Sequence, residues 1–206
     1  MRGVRLFVEG GGDTRGGSRA LRTGFQGFLG EIREQARAKR IRWNLVMCGS
    51  RREAYESFLR ETPSSDEFTV LLVDSEAKVS KAPRAHLAAR PGDKWTSSHQ
   101  ALDDQVHLMV QTMETWLIAD AEALGTYYGS HFNRNALPSR QNLEEVPKEE
   151  VSSALERATQ KTQKGEYHKI RHASDLLALV GPEKVKERCR HCKRLFDTVT
   201  AAIEAA

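Results

Sequence analysis

Phe68-Thr69-Val70-Leu71-Leu72-Val73-Asp74-Ser75-Glu76 is the stretch that decides the fold. Residues 68–73 are an almost unbroken apolar run, short for a helix and of the kind that is covered on both faces in a parallel sheet. Parallel neighbours need a crossover between them, most often a helix, so strands and helices should alternate on either side of this run. The run stops abruptly in two acids separated by a serine. On an extended backbone that Asp-x-Glu spacing points both carboxylates to one side, whereas adjacent acids would point apart.

Upstream, residues 4–8 form a second short apolar run with one arginine, stopped by Glu9 and the glycines Gly10, Gly11 and Gly12. Leu21, Phe25, Phe28, Leu29 and Ile32 then recur at three- and four-residue steps, which predicts an amphipathic helix over 18–39 with a basic outer face. Residues 41–47 alternate like a strand, and Ser50 is placed to cap a short helix to about residue 60. Downstream, residues 77–105 carry Pro83 and Pro91-Gly92 among many polar residues, too long for a bare connection and more like a substrate-facing loop or lid with a short helix. Residues 106–113 resume strand character, and 114–124 run into a helix with Trp116, Leu117 and Leu124 inward. Beyond Gly125 the pattern becomes helical, over 148–162, 173–180 and 184–203, with Pro182 after Gly181 opening the last segment. The expectation is an α/β fold, a mostly parallel central sheet flanked by helices, with residues 1–125 as core and 126–206 as a mainly helical extension packed on it.

At 206 residues, 39% apolar and 29% charged, the chain can bury a real core. The net charge of +4 conceals 32 basic against 28 acidic residues, so the global field attracts polyanions only mildly. Two local clusters say more: Arg33, Arg37, Lys39, Arg40 and Arg42, then Lys184, Lys186, Arg188, Arg190, Lys193 and Arg194. Each fits a phosphate backbone, and each also fits a solvated helix face. Three cysteines form no even-numbered framework, and no apolar stretch approaches the roughly 18 residues of a membrane span. With no apolar leader at the start, a cytoplasmic protein without membrane attachment is expected.

Parallel strands in an open sheet bring their carboxyl ends to one edge. The first strand here ends in Glu9, the third in Asp74 and Glu76, and the fourth at Glu114, so separate strands deliver acids to one place. Clustered carboxylates repel one another, and the usual remedy is a hard divalent cation such as Mg²⁺ or Mn²⁺. Gly10, Gly11 and Gly12 permit positive φ and a close backbone approach to a phosphate, and Asp13 returns a further carboxylate toward Glu9, in reach of a second metal. The expected ligands are Glu9, Asp13, Asp74, Glu76 and Glu114.

These features resemble the TOPRIM domain of topoisomerases, primases and the overcoming-lysogenization-defect nucleases, in which a strand ending in Glu-Gly, here Val8-Glu9-Gly10, precedes a later strand ending in an Asp-x-Asp-like pair, here Asp74-Ser75-Glu76. More closely, the chain is similar to a TOPRIM-like bacterial family of unknown function, domain-of-unknown-function family 4276. Val8-Glu9-Gly10-Gly11-Gly12-Asp13, Leu72-Val73-Asp74-Ser75-Glu76 and Met109-Val110-Gln111-Thr112-Met113-Glu114-Thr115-Trp116 carry that likeness. It covers residues 4–124 well and the rest loosely. The resemblance implies a TOPRIM-like, Rossmann-like sheet in which Glu9, Asp74 and Glu76 hold Mg²⁺ or move protons, with Glu76 a departure from the commoner Asp. It further implies a metal-dependent nuclease acting on DNA or RNA, an AAA ATPase partner and a role in phage defence. A homodimer is among the states left open, as are a nucleic-acid-binding or regulatory subunit without turnover and a small-molecule phosphohydrolase. Lys169 and Lys78 are the cations considered for steadying charge on a phosphate, although each also suits a solvated position.

Cys189-Arg190-His191-Cys192 has the look of half a zinc site but lacks nearby partners, and the three-residue spacing suits one buried helix face with Leu195, Phe196 and Val199 better. His86, His99 and His107 flank the long loop as candidate acids. Trp43 and Trp116 fit core anchors, and Trp95, in the polar loop, could stack on a base.

Overall fold

The computed structural model describes residues 1–12, 15–62, 66–93, 95 and 103–206. In chain order the elements are β1 (Gly3–Gly11), α1 (Arg15–Phe28), α2 (Gly30–Ala38), β2 (Arg42–Gly49), α3 (Arg51–Glu61), β3 (Glu67–Asp74), α4 (Pro83–Ala89), β4 (Val106–Met109), α5 (Glu114–Leu117), α6 (Ala121–Tyr128), α7 (Lys148–Thr159), α8 (Lys169–Leu179), α9 (Pro182–Arg188) and α10 (Arg190–Glu204). The strands form one four-stranded sheet in the order β2-β1-β3-β4, with every pairing parallel. This is the expected Rossmann-like α/β architecture, and its strand order reverses direction between β1 and β3.

Alternation along the strands divides the core into two faces. Val4, Leu6 and Val8 of β1 with Val70 and Leu72 of β3 look toward α1, α2, α8 and α10, while Phe7, Leu71 and Val73 look toward Phe58 of α3 and Leu87 of α4. The run at 68–73 is apolar throughout because both faces are covered. Arg5, the one basic residue in β1, is matched by Glu67 at 2.6 Å and by Glu61.

The chain after Gly125 is built into the first face. Gly24 of α1 lies so close to α8 that a β-carbon there would stand 2.6 Å from the Ser174 carbonyl oxygen. Phe196 of α10 meets the ring of Phe28 edge-on at 5.7 Å, and Trp116 stacks on Phe28 at 5.2 Å. Trp116 is the expected core anchor. Trp43 is only partly buried, at the margin of the same cluster.

Boundaries differ from the periodicity in several places: the helix expected over 114–124 is α5 and α6, parted before the Asp120 cap, and α8 begins at Lys169 where 173 was expected. The amphipathic run at 18–39 is two helices, broken at Leu29 (φ −91°, ψ 16°) beside the weak helix formers Gly27 and Gly30. The basic run at 184–203 is broken at Cys189, and Glu144 caps the new helix start by accepting from His191 N and Nδ1, both at 2.7 Å. Strand β4 ends at Met109, four residues sooner than expected. No described helix is long and apolar enough to cross a membrane.

Candidate functional site

Strand β1 carries Glu9 to the carboxyl edge and then bulges, since Gly10 and Gly11 both lie opposite Gly49 of β2. Gly10 and Gly11 take φ of +118° and +97°, and β-carbons there would meet Leu21 Cδ2 and Ser18 Cα, both at 2.7 Å. Only glycine combines that backbone with so close an approach of α1. Asp74 is the last residue of β3. The following residues depart from the extended geometry expected of Asp74-Ser75-Glu76. Ser75 N and Glu76 N donate to the carbonyls of Met109 and Gln111 at 2.9 and 2.8 Å, and Glu76 turns with φ +63°. The turn nonetheless returns its carboxylate to the group. Oxygens of Glu9, Asp74 and Glu76 all lie within 4.8 Å of one another, at the crevice where the strand order reverses.

A second layer fixes these side chains. Met113 N donates to Asp74 Oδ1 at 2.8 Å, and Asp74 N donates to Glu9 Oε2 at 3.1 Å. Arg51, the first residue of α3, stands 3.5 Å from Glu9 Oε2, donates to the Asp74 carbonyl and is tied back to Asp93 at 2.8 Å. Ser50 caps that helix as expected, in a reciprocal box with Glu53. Lys148 of α7 reaches Glu76 at 2.5 Å.

Burial drives the Asp74 carboxyl well above the usual range, and the neighbouring charge of Glu9 pushes the same way. Burial likewise raises Glu9, against the opposing pull of Arg51. Burial acts upward on Glu76 too, but Lys148, with Arg90 and Arg51 behind it, outweighs it and holds that carboxyl below its ordinary value. At Glu9 and Asp74 burial therefore outweighs the nearby positive charge of Arg51 and Lys169.

Glu114 stands apart from the trio. It opens α5 instead of ending a strand, and it is held by the Tyr167 hydroxyl at 3.1 Å and by Lys169 at 3.2 Å. Lys169 is 58% exposed; its surroundings disfavour the charge, but Glu114, Asp74 and Glu9 together more than restore it. A groove of about 680 Å³, lined by Glu76, Glu114, Lys148, Tyr167, His168 and Lys169 among others, opens beside the acids. Asp13 and His99 lie outside the described residues.

Other candidates fall elsewhere. Lys78 pairs with exposed Glu145 at 3.6 Å. His86 contacts the Ser75 carbonyl at 3.0 Å, while His107 is fully buried in β4. Trp95 stacks on Tyr55 at 4.1 Å with the Arg51 guanidinium over its ring. Cys189 and Cys192 share the buried face with Leu195, Phe196 and Val199, as the helical spacing suggested, and His191 belongs to Glu144. Sequence reasoning missed Arg51 and Lys148. Arg51 was within reach of the strand-end logic, because it follows the end of β2 by two residues; Lys148 gave no signal.

Fold and site together define a Rossmann-like α/β protein with an acidic trio in its switch-point crevice. The chain belongs to the family described as Domain of unknown function (DUF4276), whose model matches residues 8–200 and so spans both the sheet and the helices packed on it. No curated protein and no solved structure matches the chain.

Proposed function

We propose that this chain is a metal-dependent nuclease hydrolysing phosphodiester bonds of DNA or RNA, with Mg²⁺ or Mn²⁺ held by Glu9, Asp74 and Glu76. The observation that carries the reading is the meeting of three carboxylates within 4.8 Å at the switch-point crevice, where α/β sheets bind ligands. The donor set fits a hard cation, being all oxygen, with Glu9 and Asp74 both raised by burial that the neighbouring cations do not offset. Oxygens on one octahedral Mg²⁺ stand at most about 4.2 Å apart, so a small rotation of a glutamate gathers the trio onto an ion. Such an ion, when bound, lowers the pKa of water and stabilises charge on a phosphate.

The chain's own residues supply the rest. Arg51 sets the position of Glu9, and Met113 N orients Asp74. Gly10, Gly11 and Gly12 offer backbone beside Glu9 for a phosphate oxygen, and Lys148 and Lys169 line the groove through which a nucleic-acid strand would pass. The TOPRIM-like motifs carry the wider expectation of a cytoplasmic phage-defence effector controlled by an AAA ATPase.

Incubation with plasmid and with RNA under Mg²⁺ and Mn²⁺ tests the reading. Cleavage by the wild type that disappears in both Glu9→Ala and Asp74→Ala is expected; cleavage surviving in both variants overturns it. A second reading, a regulatory subunit that binds nucleic acid without turnover, draws on the ion pairs that Lys148 and Arg51 already make with Glu76 and Glu9. Binding without cleavage would favour it.

A further inference from the structure

The fold treats the two basic clusters differently. The late one is engaged by close partners within the chain. Arg194 donates to the carbonyls of Val106 at 2.9 Å and Asp103, Arg188 to those of Pro138 and Arg140, and Arg190 to that of Val79. Lys184 is paired with Asp120 and Glu122, and Lys193 with Asp197.

The early cluster keeps its charge at the surface. Arg33, Arg37, Arg40 and Arg42 line a cleft of about 510 Å³ with Glu34 and Trp43, where the end of α2 meets the start of edge strand β2. Their ion pairs are long: 3.4 and 3.3 Å from Arg33 and Arg37 to the shared Glu34, and 3.5 and 3.6 Å from Arg42 to Asp66 and Glu67. The Arg37 and Arg42 side chains are 81% and 66% exposed, and exposed pairs as long as those to Glu34 and Asp66 neutralise little. Among the described residues no ion pair engages Arg40 at all. Four guanidinium forks converging on one cleft suit the oxygens of phosphodiesters, and the half-buried indole of Trp43 adds an apolar wall for sugar or base.

We infer that this cleft is a second nucleic-acid contact, an exosite that grips the phosphodiester backbone away from the acids. Arg42 lies in register with Gly3 at the start of β1, whereas Glu9 is six residues further along that strand. At roughly 3.3 Å per residue the two places are about 20 Å apart. A small phosphate ester cannot touch both, but a duplex of about six base steps spans that distance. The exosite thus deepens the nuclease reading by making the substrate a polymer, although binding at the cleft rests on its own cations and not on the metal.

The test is fluorescence anisotropy with a labelled DNA duplex and the matching RNA strand, in EDTA so that nothing is cut, across a salt series. Wild type is compared with Arg33→Ala/Arg37→Ala and with Arg33→Lys/Arg37→Lys; alanine and lysine both preserve the helix, and equal melting temperatures verify the fold. The alanine pair is expected to weaken duplex binding by about tenfold and to flatten the log–log salt slope by about 1.8, since each neutralised phosphate contributes about 0.9. The lysine pair should keep most of the slope. Unchanged affinity and slope in the alanine pair overturn the inference. So does an alanine pair that binds nucleic acid normally but loses affinity for polyglutamate, which would assign the cleft to an acidic protein. Cleavage assays in Mg²⁺ separate the two readings. Arginine-dependent binding without cleavage keeps the exosite and removes the nuclease, whereas cleavage and binding that ignore both arginines do the reverse.

Discussion

Replacing Asp74 by Asn should make the metal-free protein more stable while abolishing its response to Mg²⁺. Asparagine keeps an oxygen for Met113 N, which donates to Asp74 Oδ1 at 2.8 Å, and places an amide donor where a second carboxylate oxygen faced Glu9 and Glu76. Two unit charges 4.8 Å apart repel by about 3.5 kcal/mol at an effective dielectric constant of 20. Arg51 and Lys148 offset much of that, leaving a gain of about 1 to 2 kcal/mol, or roughly 2 to 8 °C in Tm for a chain of this size. On the proposed metal-binding reading, Mg²⁺ at a hundredfold excess over Kd should add about 2.7 kcal/mol to the wild type, or roughly 5 to 11 °C. The sign of the pH dependence follows from the upward shift of Asp74. A carboxyl whose pKa rises on folding contributes stability that is complete below its unfolded value and is lost as pH climbs through the folded one. Metal-free wild type should therefore lose stability as pH rises from the carboxylate range toward neutrality, and the Asn variant should lose less. Differential scanning fluorimetry in EDTA and in Mg²⁺, at several pH values, reads all three effects. A variant that melts below wild type in EDTA, or that gains as much from Mg²⁺, refutes the reasoning.

His107 supplies a separate pH signature. Burial first, then Arg194, depress its pKa to about 3, and Arg194 donating to Nδ1 at 3.2 Å leaves Nε2–H to donate to the Asp104 carbonyl. Because the folded value lies below the unfolded one, stability should fall by about 1.4 kcal/mol per pH unit as pH drops from about 6.5 toward 3, and urea titrations of His107→Gln should show a flatter acid limb. Gly24→Ala should cost about 1 to 3 kcal/mol through the clash with the Ser174 carbonyl, seen as a lower urea midpoint. Glu144→Ala should cost about 1 to 3 kcal/mol by uncapping α10 and orphaning buried His191, again measured by urea unfolding. Arg51→Ala should reduce any cleavage tenfold or more while the protein still melts cooperatively, because Glu9 loses its steadying charge; unchanged turnover would remove Arg51 from the site.

The sheet was legible because burial on both faces leaves a plain mark: the apolar runs at 4–8 and 68–73 and the acids after them could be placed on one edge before any contact was known. Glu9, Asp74 and Glu76 followed from that edge rule. The conformation of Glu76 did not, since its positive φ is imposed by hydrogen bonds to Met109 and Gln111 across the sheet. Glu114 looked like a strand end because Val110 and Met113 prolong the apolar character of β4 beyond its last pairing at Met109, and periodicity cannot locate where pairing stops. The break at Cys189 was invisible because its cap, Glu144, lies 47 positions away from His191. Long-range electrostatic partners such as Lys148 with Glu76 have no local signature at all.

The close seating of α1 on α8 couples the acids to the far end of the chain. Helix α1 follows the bulge after Glu9 and packs against its glycines, yet much of α1's own support comes from residues synthesised more than a hundred positions later. A nascent polypeptide that has exposed its strands but not α8 and α10 keeps only the sheet-facing side of that helix's packing. The setting of α1 beside Glu9 would then be completed only as translation finishes, the amino-terminal edge of the site waiting on the carboxyl-terminal helices.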